Sequence, residues 1–485
     1  MASQRRDSLA PPLDKQARKE RLTLPPQPRR ERPVATRLMD FEEIAIPFTP
    51  EEAIAEANRC LLCPSAPCRD ACLAENDLPG AMWLIGHGQF MEAATLYRQT
   101  SALPEICGRV CPQSDLCEGA CVHAKKGAAV ALGRLEAFVA DYARQHNGHV
   151  QDAPPSGRRV AVIGSGPAGL SVADRLRQRG HAVTIYEALP QPGGLLVYGI
   201  PAFKLDKQLV QARIADLQRR GVTFICGTRV GKDVPFESIR ADFDAVFIGV
   251  GASVDSAPDI EGADLPGVEH ATPYLIRANL PPAAWPPDYA STPLTPGQRI
   301  TIFGGGDTAM DCARSALRMQ HRAMLPLDVV CIYRRTEAQM PGNPHDRQHA
   351  REEGLRFEFL ASPRRFIAGP DGRLSAVECV RMALGEPDAS GRQRPVEIPG
   401  SAFTVPTDQA VLAFGYHPDP LLTETVPALK ADSWGLILAD PETGQTSIPG
   451  VFAGGDAVTG PNLVGRAMAA ALRAASAIDA YLQRL

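Results

Sequence analysis

The hydrophobic and polar positions between residues 158 and 337 repeat one pattern twice. In "RRVAVIGSGPAGLSVADRLRQRGHAVTIYEA" an apolar strand leads into a glycine turn, an amphipathic helix and a second strand. The same order returns in "QRITIFGGGDTAMDCARSALR", followed by "LDVVCIYRRTE". Strands that alternate with helices of this length predict βαβ units and parallel sheets. The chain is therefore expected to be an α/β protein with two Rossmann-like dinucleotide-binding domains.

The first glycine turn has the spacing of a dinucleotide-binding motif. Gly164 permits the tight turn, Gly166 lets the backbone approach a pyrophosphate, and Gly169 lets the helix pack on the strand. The amide groups at the helix N-terminus would meet the pyrophosphate charge. Glu187 ends the next strand, where a carboxylate would accept a hydrogen bond from a ribose hydroxyl. The residues of this turn expected to bind the cofactor are Gly164, Ser165, Gly166, Pro167, Ala168 and Gly169.

The second glycine turn fills the same positions with Gly304, Gly306 and Ala309, and Asp307 and Thr308 lie between them. Alanine is an accepted third member of the motif. This turn is therefore expected to bind a second dinucleotide.

The end of the following strand distinguishes the two sites. Aligning "VTIYE" with "VCIYR" places Arg334 where Glu187 stands in the first unit, and Arg335 adds a second positive charge. A carboxylate would repel a ribose 2′-phosphate, whereas a guanidinium pairs with it bidentately. The second site is therefore expected to take NADPH. The alternative is that both arginines are solvated at a strand end.

The other dinucleotide is expected to be FAD. The segment "LPQPGGLLVYGIPAFKLDK" offers an apolar stretch suited to a flat ring, with Gly194, Leu195 and Lys204 as candidate contacts. Near the C-terminus "FAGGDAV" joins a short strand to Gly455 and Asp456, ahead of an alanine-rich helix. In flavoproteins with two dinucleotides, such an aspartate meets the ribityl chain. We therefore expect an FAD domain at 149–295 and 413–485, split by an NADPH domain at 296–412.

The first 148 residues have a different texture. Residues 1–36 are rich in arginine, lysine and proline, which predicts a basic, extended or disordered arm. At residues 49–52 Thr49 can cap a helix, Pro50 suits its first position, and Glu52 completes a capping box. Residues 37–148 are therefore expected to form a small, mostly helical domain.

Eight of the twelve cysteines lie in two compact groups, "CLLCPSAPCRDAC" and "CGRVCPQSDLCEGAC". Iron-sulfur clusters are one interpretation, since eight cysteines suffice in number for two of them. Structural zinc is the alternative, although zinc domains more often separate paired cysteines by a longer stretch. A redox disulfide beside the flavin is disfavoured because the other four cysteines are isolated in sequence and resemble small buried residues. Those four are Cys226, Cys312, Cys331 and Cys379.

Composition narrows the possible partners. A length of 485 residues with 44% hydrophobic residues allows several domains, and the net charge of -4 gives no broad basic field for nucleic acid. No apolar run approaches the roughly 20 residues that span a bilayer, so no membrane partner is expected. We expect a cytoplasmic protein, and in that reducing compartment dense cysteines indicate metal or cluster ligands.

Taken together and in this order, the quoted motifs resemble the small (beta) subunit of NADPH-dependent glutamate synthase and its relatives. Those relatives include the large subunit of NADH-dependent ferredoxin:NADP oxidoreductase and the N-terminal half of dihydropyrimidine dehydrogenase. "GGLLVYGIPAFKLDK", "FGGGDTAMDCARSALR" and "YRRTEAQMPG" belong to the same series of motifs, which covers almost everything beyond residue 38. The resemblance implies two 4Fe-4S clusters in the helical domain, with electrons passing from NADPH through FAD to the clusters and on to a partner.

The resemblance also implies the cluster ligands, residue by residue. One cluster would be held by Cys60, Cys63, Cys68 and Cys121, and the other by Cys72, Cys111, Cys117 and Glu136. Cys107 falls outside both sets, and Glu136 as a plain helix-surface acid stays an alternative. The five-residue gap between Cys111 and Cys117 and the lack of a proline after Cys72 depart from the small subunit, which leaves the electron acceptor less defined than the donor.

The sequence thus predicts an NADPH-dependent oxidoreductase that feeds electrons to a larger catalytic subunit or to ferredoxin. Hydride transfer between two cofactors needs alignment more than an acid or base, so no catalytic residue is nominated. The alternatives are the electron-input subunit of a dihydropyrimidine dehydrogenase or of a ferredoxin-linked transhydrogenase and, in another class, a zinc-stabilised nucleotide-binding regulator.

Overall fold

The computed structural model describes residues 8–146, 148, 150–286, 292–387 and 391–485. Within these ranges the chain forms three units, and each has a hydrophobic cluster of its own. The predicted fold class is confirmed: a helical domain precedes two parallel-sheet units, and the second is inserted into the first.

The N-terminal domain is helical, as expected. The capping box at Thr49 is present, because the Thr49 hydroxyl accepts from the Glu52 amide (3.3 Å) and Glu52 accepts from the Thr49 amide (2.8 Å). Short 3-10 turns cover Gln113–Asp115 and Val122–Lys125. The helices are α1 (Lys15–Arg21), α2 (Val34–Arg37), α3 (Pro50–Ala57), α4 (Pro67–Asp70), α5 (Leu78–Gly86), α6 (Phe90–Thr100), α7 (Pro104–Val110) and α8 (Leu132–Gln145).

The basic arm differs from the expectation in its described part, residues 8–36. Instead of being disordered, it packs along the helical domain and contains α1 and α2. The Ser8 hydroxyl donates to Asp77 (2.7 Å), the Gln27 amide donates to Glu56 (2.8 Å), and Ala10 and Leu13 join the apolar core. Composition alone did not reveal these polar anchors, which compensate for the lack of apolar side chains. Residues 1–7 lie outside the described residues.

The first half of the FAD-type unit is a run of strands and helices with short connections. The parallel register of its first two strands aligns Val160 with Val183 and Val162 with Ile185, and these side chains are buried. The elements are β1 (Arg159–Ile163), α9 (Pro167–Gln178), β2 (Ala182–Tyr186), α10 (Leu195–Tyr198), α11 (Lys207–Arg219), β3 (Thr223–Ile225), α12 (Phe236–Asp242) and β4 (Ala245–Ile248).

The second unit begins with a short crossing strand and ends with β14. Its elements are β5 (Val254–Asp255), β6 (Val268–His270), α13 (Ala271–Asn279), β7 (Ile300–Phe303), α14 (Asp307–Arg322), β8 (Val329–Tyr333), α15 (Pro344–Glu352), β9 (Arg356–Phe359), β10 (Ala361–Ala368), β11 (Leu374–Pro387), β12 (Gln393–Glu397), β13 (Phe403–Pro406) and β14 (Gln409–Leu412). Its parallel sheet has the order β6-β14-β7-β8-β9, while β10 to β13 form an antiparallel extension. Two more 3-10 turns cover Pro282–Ala284 and Glu337–Gln339.

The chain then returns to the first unit. The returning elements are β15 (Tyr416–His417), α16 (Leu421–Thr425), β16 (Val451–Ala453), α17 (Asp456–Thr459) and α18 (Val464–Leu482). Strand β16 pairs in parallel with β4, which completes a sheet of order β16-β4-β1-β2-β3. β15 pairs with β5, so the two chain crossings between the units run side by side.

One domain boundary differs from the sequence expectation. The sequence pattern predicts that residues 268–279 belong to the first unit, with its first segment extending to residue 295. β6 instead pairs with β14, aligning Val268 with Ala410, and α13 packs on α14. The second unit therefore begins soon after β5. A three-residue strand without a glycine turn carried too little pattern to predict this pairing.

Buried charges fasten the two nucleotide units together. Lys204 of the first unit forms ion pairs with Asp311 (3.0 Å) and Asp346 (2.8 Å) of the second. Beside it, the fully buried Phe203 ring lies under the guanidinium groups of Arg314 and Arg318, at 4.6 and 4.0 Å from the ring centre. Cation–π contacts of this kind gain strength where the charge is desolvated.

A second buried network joins the helical domain to the first unit. Arg213 on α11 pairs with Asp174 on α9 at 2.7 Å and lies 3.9 Å from Glu105 on α7. Glu105 also pairs with Arg98 of the helical domain at 2.7 Å. Because these charges are buried, losing one partner would leave another without compensation.

The segment from residue 31 to residue 44 contacts all three units. Glu31 accepts from Arg134 of the helical domain and from His349 of the second unit. The Ile44 amide donates to the carbonyl of Phe203 in the first unit (3.1 Å). We call residues 31–44 the strap.

We predict that Glu353→Gln strongly destabilises the second unit. The Glu353 carboxylate is fully buried and binds Arg314 and Arg318, so its neutralisation leaves two buried cations underpaired. Loss of one partner from such a group costs about 3 to 5 kcal/mol of unfolding free energy. The matched control is Glu337→Gln, which breaks an exposed pair with Arg351 and should cost at most about 1 kcal/mol. Equal shifts of both variants in denaturant unfolding would contradict the prediction.

Candidate functional site

A single cavity of about 1890 Å³ extends between the two glycine turns. Ligand cavities for one small molecule usually measure about 300 to 1000 Å³, so this volume suits more than one dinucleotide. The predicted cofactor residues that line it are Gly164, Ser165, Gly166, Pro167, Ala168, Glu187, Gly194, Leu195, Lys204, Asp456, Gly304, Gly306, Asp307, Thr308, Arg334 and Arg335.

Three of the predicted cofactor-binding residues do not line the cavity. They lie where neighbouring segments pack closely against each other. A Cβ at Gly169 would lie 1.9 Å from the Gly164 carbonyl oxygen, which allows the helix to approach the strand only with glycine. A Cβ at Gly455 would lie 3.0 Å from that of Ala168. Ala309 is fully buried beneath the second turn.

The first glycine turn is shaped for an anion. Gly164 adopts φ +95°, and a Cβ there would lie 2.5 Å from the Gly249 carbonyl oxygen. Gly166 begins α9 with no side-chain cap, and a Cβ there would meet nothing within 4 Å. Free amides at an open helix N-terminus suit a pyrophosphate.

Glu187 stands at the cavity wall and also organises the turn. Its Oε2 accepts from the amide and the hydroxyl of Ser165, and its Oε1 accepts from the Leu189 amide (2.8 Å). The Ser165 hydroxyl in turn accepts from the Gly193 amide (2.8 Å). Its contact with a ribose stays a prediction, whereas its role in fixing two glycine segments is visible in the structure.

The end of the cavity at Asp456 offers a carboxylate oxygen without a partner among the described residues. Asp456 receives the Asn462 amide, but its Oδ1 is buried and has no hydrogen-bond partner in the described residues. Burial raises the pKa of Asp456 to about 6. Nearby, α18 begins at Val464 without a side-chain cap. An orphaned acceptor beside open amides fits a cofactor that brings hydroxyl groups and a polar ring edge.

The segment before α11 supports this end of the cavity. Gly194 adopts φ +51°, and a Cβ there would lie 2.9 Å from the Cα of Gly166, so the two glycine segments touch. Leu195 follows at the cavity wall with 46% of its surface exposed. Lys207, which sequence reasoning did not nominate, donates to the carbonyls of Leu196 and Ile200, and burial lowers its pKa to about 7.

Lys204 has a structural role that the sequence did not predict. It reaches the cavity, but its ammonium is held by Asp311 and Asp346 across the unit boundary. Although burial alone would lower the pKa of Lys204, these two carboxylates raise it above its usual value. Its contact with a cofactor stays a prediction. No sequence pattern could reveal the pairing, because its partners lie more than 100 residues away.

The second glycine turn repeats the geometry of the first. Gly304 adopts φ +143°, and a Cβ there would lie 2.3 Å from the Ala413 carbonyl oxygen. Gly306 begins α14 without a side-chain cap and opens on the cavity. Asp307 accepts from the Asn343 amide (2.7 Å), which holds the loop after β8 over the turn. Thr308 lies in hydrogen-bonding reach of Tyr416.

Three arginines, rather than the two predicted, surround one end of this site. Arg334 is exposed at the cavity wall, Arg335 is buried and donates to the Gln393 carbonyl (2.8 Å), and Arg392 lines the same cavity. Desolvation lowers the pKa of Arg334, and the positive charges of Arg335 and Arg392 lower it further. Like charges gathered at one wall favour a bound anion. Arg392 comes from the antiparallel extension, which no motif in the sequence marked.

The first cysteine set gathers around a small apolar space. Cys60, Cys63, Cys68 and Cys121 line a cavity of about 20 Å³. Burial and the neighbouring thiols raise the pKa of Cys60 to about 12. Cluster iron would compensate this cost by binding the thiolates. All twelve cysteines are free thiols.

The second set also comes together, and it includes the carboxylate. Burial and then Glu136 raise the pKa of Cys72 to about 12, while burial and then Cys72 raise that of Cys117. Glu136 is 9% exposed, and burial followed by Cys111 raises its pKa well above the usual range. The alternative of a plain surface acid is therefore wrong.

The cysteines of the first set surround a space instead of meeting at one point. Across the described ranges, no three His, Cys, Asp or Glu side chains are close enough to share one metal ion. A four-iron cluster needs such wider spacing because each ligand binds a different iron.

The second set adjoins the cavity. Val110 on α7 lines the cavity directly, and a Cβ placed on Gly465 would lie 3.6 Å from the Cys111 sulfur. Gly465 is in the first turn of α18, directly after the cavity-lining Val464. The first set lines a separate, smaller space, and the seven cysteines of the two sets are all partly exposed.

Comparison with known families agrees with this arrangement. Residues 37–148 match the domain described as dihydropyrimidine dehydrogenase domain II, 4Fe-4S cluster. Residues 158–471 match the pyridine nucleotide-disulphide oxidoreductase family. The class is thus an FAD- and NADPH-type oxidoreductase with an iron-sulfur domain, and the zinc-stabilised alternative is not supported.

Curated relatives specify the family further. The chain is 40% identical to the glutamate synthase [NADPH] small chain of Halomonas elongata over 93% of this chain and 95% of that protein. It is 38% identical to the NADP(+)-dependent formate dehydrogenase subunit beta of Moorella thermoacetica, over 87% of this chain and 60% of that one. The chain belongs to the family of the glutamate synthase small chains, and it is an NADPH oxidoreductase of that type.

A solved structure shares the fold of the nucleotide units. FprA from Mycobacterium tuberculosis in complex with NADPH superposes with a TM-score of 0.56 at 20% identity, covering 68% of this chain and 85% of that one. Among the described residues, no helix has both the length and the apolar character that crossing a bilayer requires.

We predict a specific pH dependence for the apoprotein. Because burial raises the folded-state pKa of Asp456 from 3.8 to about 6, its stability contribution is complete below pH 3.8 and is lost as the pH rises through about 6. Asp456→Asn cannot ionise. The difference in unfolding free energy between Asp456→Asn and wild type should therefore rise by roughly 1 kcal/mol, in favour of the variant, between pH 5 and pH 8. Denaturant titrations across this range measure the difference. Asp371→Asn, on an exposed turn, is the control, and parallel curves for Asp456→Asn and wild type would count against the assignment.

We predict that the arginines set nucleotide preference. Arg334→Ala combined with Arg335→Ala should lose roughly 1 to 3 kcal/mol of the preference for NADPH over NADH, because charged hydrogen bonds to the 2′-phosphate disappear. Arg392→Ala should shift the preference in the same direction by a smaller amount. The matched control is Arg394→Ala, two residues further along β12 and outside the cavity lining. The measurement is kcat/KM for both nucleotides, and unchanged ratios in the double variant would refute the assignment.

Proposed function

We propose that this chain is the electron-input subunit of a larger oxidoreductase, taking electrons from NADPH and delivering them singly to a partner. In this proposal NADPH binds the turn from Gly304 to Ala309, and FAD binds the turn from Gly164 to Gly169 together with Asp456. The observation that carries the proposal is the single cavity that joins both turns and is also lined by Val110, the residue before Cys111.

Two 4Fe-4S clusters belong to the proposal. The first is held by Cys60, Cys63, Cys68 and Cys121, and the second by Cys72, Cys111, Cys117 and Glu136. Bound FAD would supply the conversion of one two-electron delivery from NADPH into two single-electron transfers, and bound clusters would carry those electrons. The separate grouping of the thiols supports this division.

The residues of the chain act by alignment. The open N-termini of α9 and α14 would hold the two pyrophosphates, and the Lys204 ion pairs keep the two turns at a fixed separation. Holding two reactants in a productive geometry lowers the barrier without an acid or base.

The proposed partner is a larger catalytic subunit. Two relatives carry the names small chain and subunit beta, which describe components of assemblies. Glutamate synthase large subunit is the first candidate, and another oxidoreductase subunit or a ferredoxin is the second. We further propose a cytoplasmic setting, which suits a chain whose twelve cysteines form no disulfide.

Anaerobic rapid mixing with NADPH tests the proposal. Wild type is expected to contain about eight irons per chain, and each of Cys63→Ala and Cys111→Ala about four, because each removes a ligand of one cluster. Flavin absorbance should bleach in all three proteins, since neither cysteine lies in a nucleotide turn. Electron transfer to the remaining cluster, followed by electron paramagnetic resonance, should slow most in Cys111→Ala.

The control is Cys379→Ala, a buried cysteine of the second unit outside both sets, which should keep iron content and electron transfer intact. Protein that is colourless after anaerobic purification, or flavin that NADPH fails to bleach, would defeat the proposal.

A further inference from the structure

Helix α1 covers the first cysteine set with positive charge. The Arg21 guanidinium donates to the Cys60 carbonyl (2.8 Å), and Arg18 acts electrostatically on Cys63. The helix is held in place, because Asp14 caps its N-terminus by accepting from the Ala17 amide (2.8 Å). The contact between α1 and the cysteine loop is therefore part of the folded domain.

Two other basic segments flank the same cysteines. Arg69 directly follows Cys68, while Lys125 and Lys126 follow Cys121 after one 3-10 turn. Residues 14–21, 69–70 and 122–126 contain seven basic and three acidic residues, whereas the whole chain has a net charge of -4. We call these three segments the exit face, because α1 contacts the first set at Cys60 and the other two segments directly follow Cys68 and Cys121 in the chain.

Shielding alone does not account for the composition of the exit face. Arg18 and Arg21 face the cysteines, but Lys15, Lys19, Lys125 and Lys126 are all exposed. In the described part of the chain these four lysines form no ion pair. They are also half of the eight lysines in the sequence. Exposed charges of one sign steer an oppositely charged partner and fix its orientation.

We propose that the exit face docks an acidic electron-transfer protein over the first cysteine set. This rests on the proposed function. In the docked complex the iron-sulfur group that the first set would hold would supply one electron to an oxidised one-electron centre of the partner, whose charge would fall by one unit. No bond forms or breaks, no proton moves, and NADPH is the ultimate donor.

The test uses the full-length protein with its flavin and iron, and two electron acceptors. The first acceptor is an acidic plant-type ferredoxin, and the second is benzoquinone, a small neutral acceptor that needs no docking. Charge reversal by Lys15→Glu with Lys19→Glu, and separately by Lys125→Glu with Lys126→Glu, should lower kcat/KM for ferredoxin at least tenfold. Rising salt should lower the wild-type ferredoxin rate steeply, since exposed charges are screened.

The matched control is Lys430→Glu with Arg484→Glu, which makes the same charge change at exposed positions of the first unit. It should retain the wild-type ferredoxin rate. All variants should reduce benzoquinone at the wild-type rate.

Ferredoxin reduction that is equal in wild type and both lysine pairs, or lost equally in the control, would overturn the docking surface. Wild type that reduces benzoquinone but not ferredoxin would overturn it as well. Failure of wild type to reduce benzoquinone with NADPH would instead defeat the proposed function, so the two ideas fail separately.

Discussion

The close approach of Cys111 to the first turn of α18 is the contact on which the rest of the arrangement depends. A side chain at position 465 would have its Cβ 3.2 Å from Leu73 and 3.6 Å from the Cys111 sulfur, so glycine lets the helical domain lie close to the first turn of α18. Anything much larger would push the second cysteine set away. Because the rate of electron transfer falls steeply with distance, this interface has to be held close. Buried ion pairs of the fold hold it.

Buried ionic groups maintain that geometry on both sides of the first unit. Arg213 and Asp174 face Glu105 across the boundary with the helical domain, and Lys204 faces Asp311 and Asp346 across the boundary with the second unit. Desolvated ion pairs add little net stability compared with apolar packing, but they tolerate few alternative alignments. Their placement at both boundaries suits a protein whose function requires three cofactor sites in register.

Much of the fold was predictable because its determinants are local. The glycine turns at Gly164 and Gly304 need particular backbone angles and close approaches, and these requirements leave a readable spacing. The capping box at Thr49 is equally local. The grouping of the cysteines was implied by a family resemblance, and the structure brings the same residues together.

The features that were missed depend on contacts between distant segments. Arg392 reaches the second nucleotide site from a hairpin. Lys204 pairs with Asp311 across a unit boundary. β6 joins a sheet whose other strands follow later in the chain. The prediction of a disordered arm failed for a related reason. The arm has few apolar residues, and its sequence does not show that Asp77 and Glu56 of the helical domain accept its hydrogen bonds.

The strap has a consequence for how the molecule can move. Because Glu31 bonds to both Arg134 and His349, it connects the helical domain with the second unit without passing through the first. The three units are therefore connected in a ring. The helical domain contacts the first unit, the first unit contacts the second, and Glu31 links the second unit back to the helical domain. A rotation of the second unit on its paired crossing strands would therefore have to break or lengthen the Glu31 contacts with Arg134 and His349.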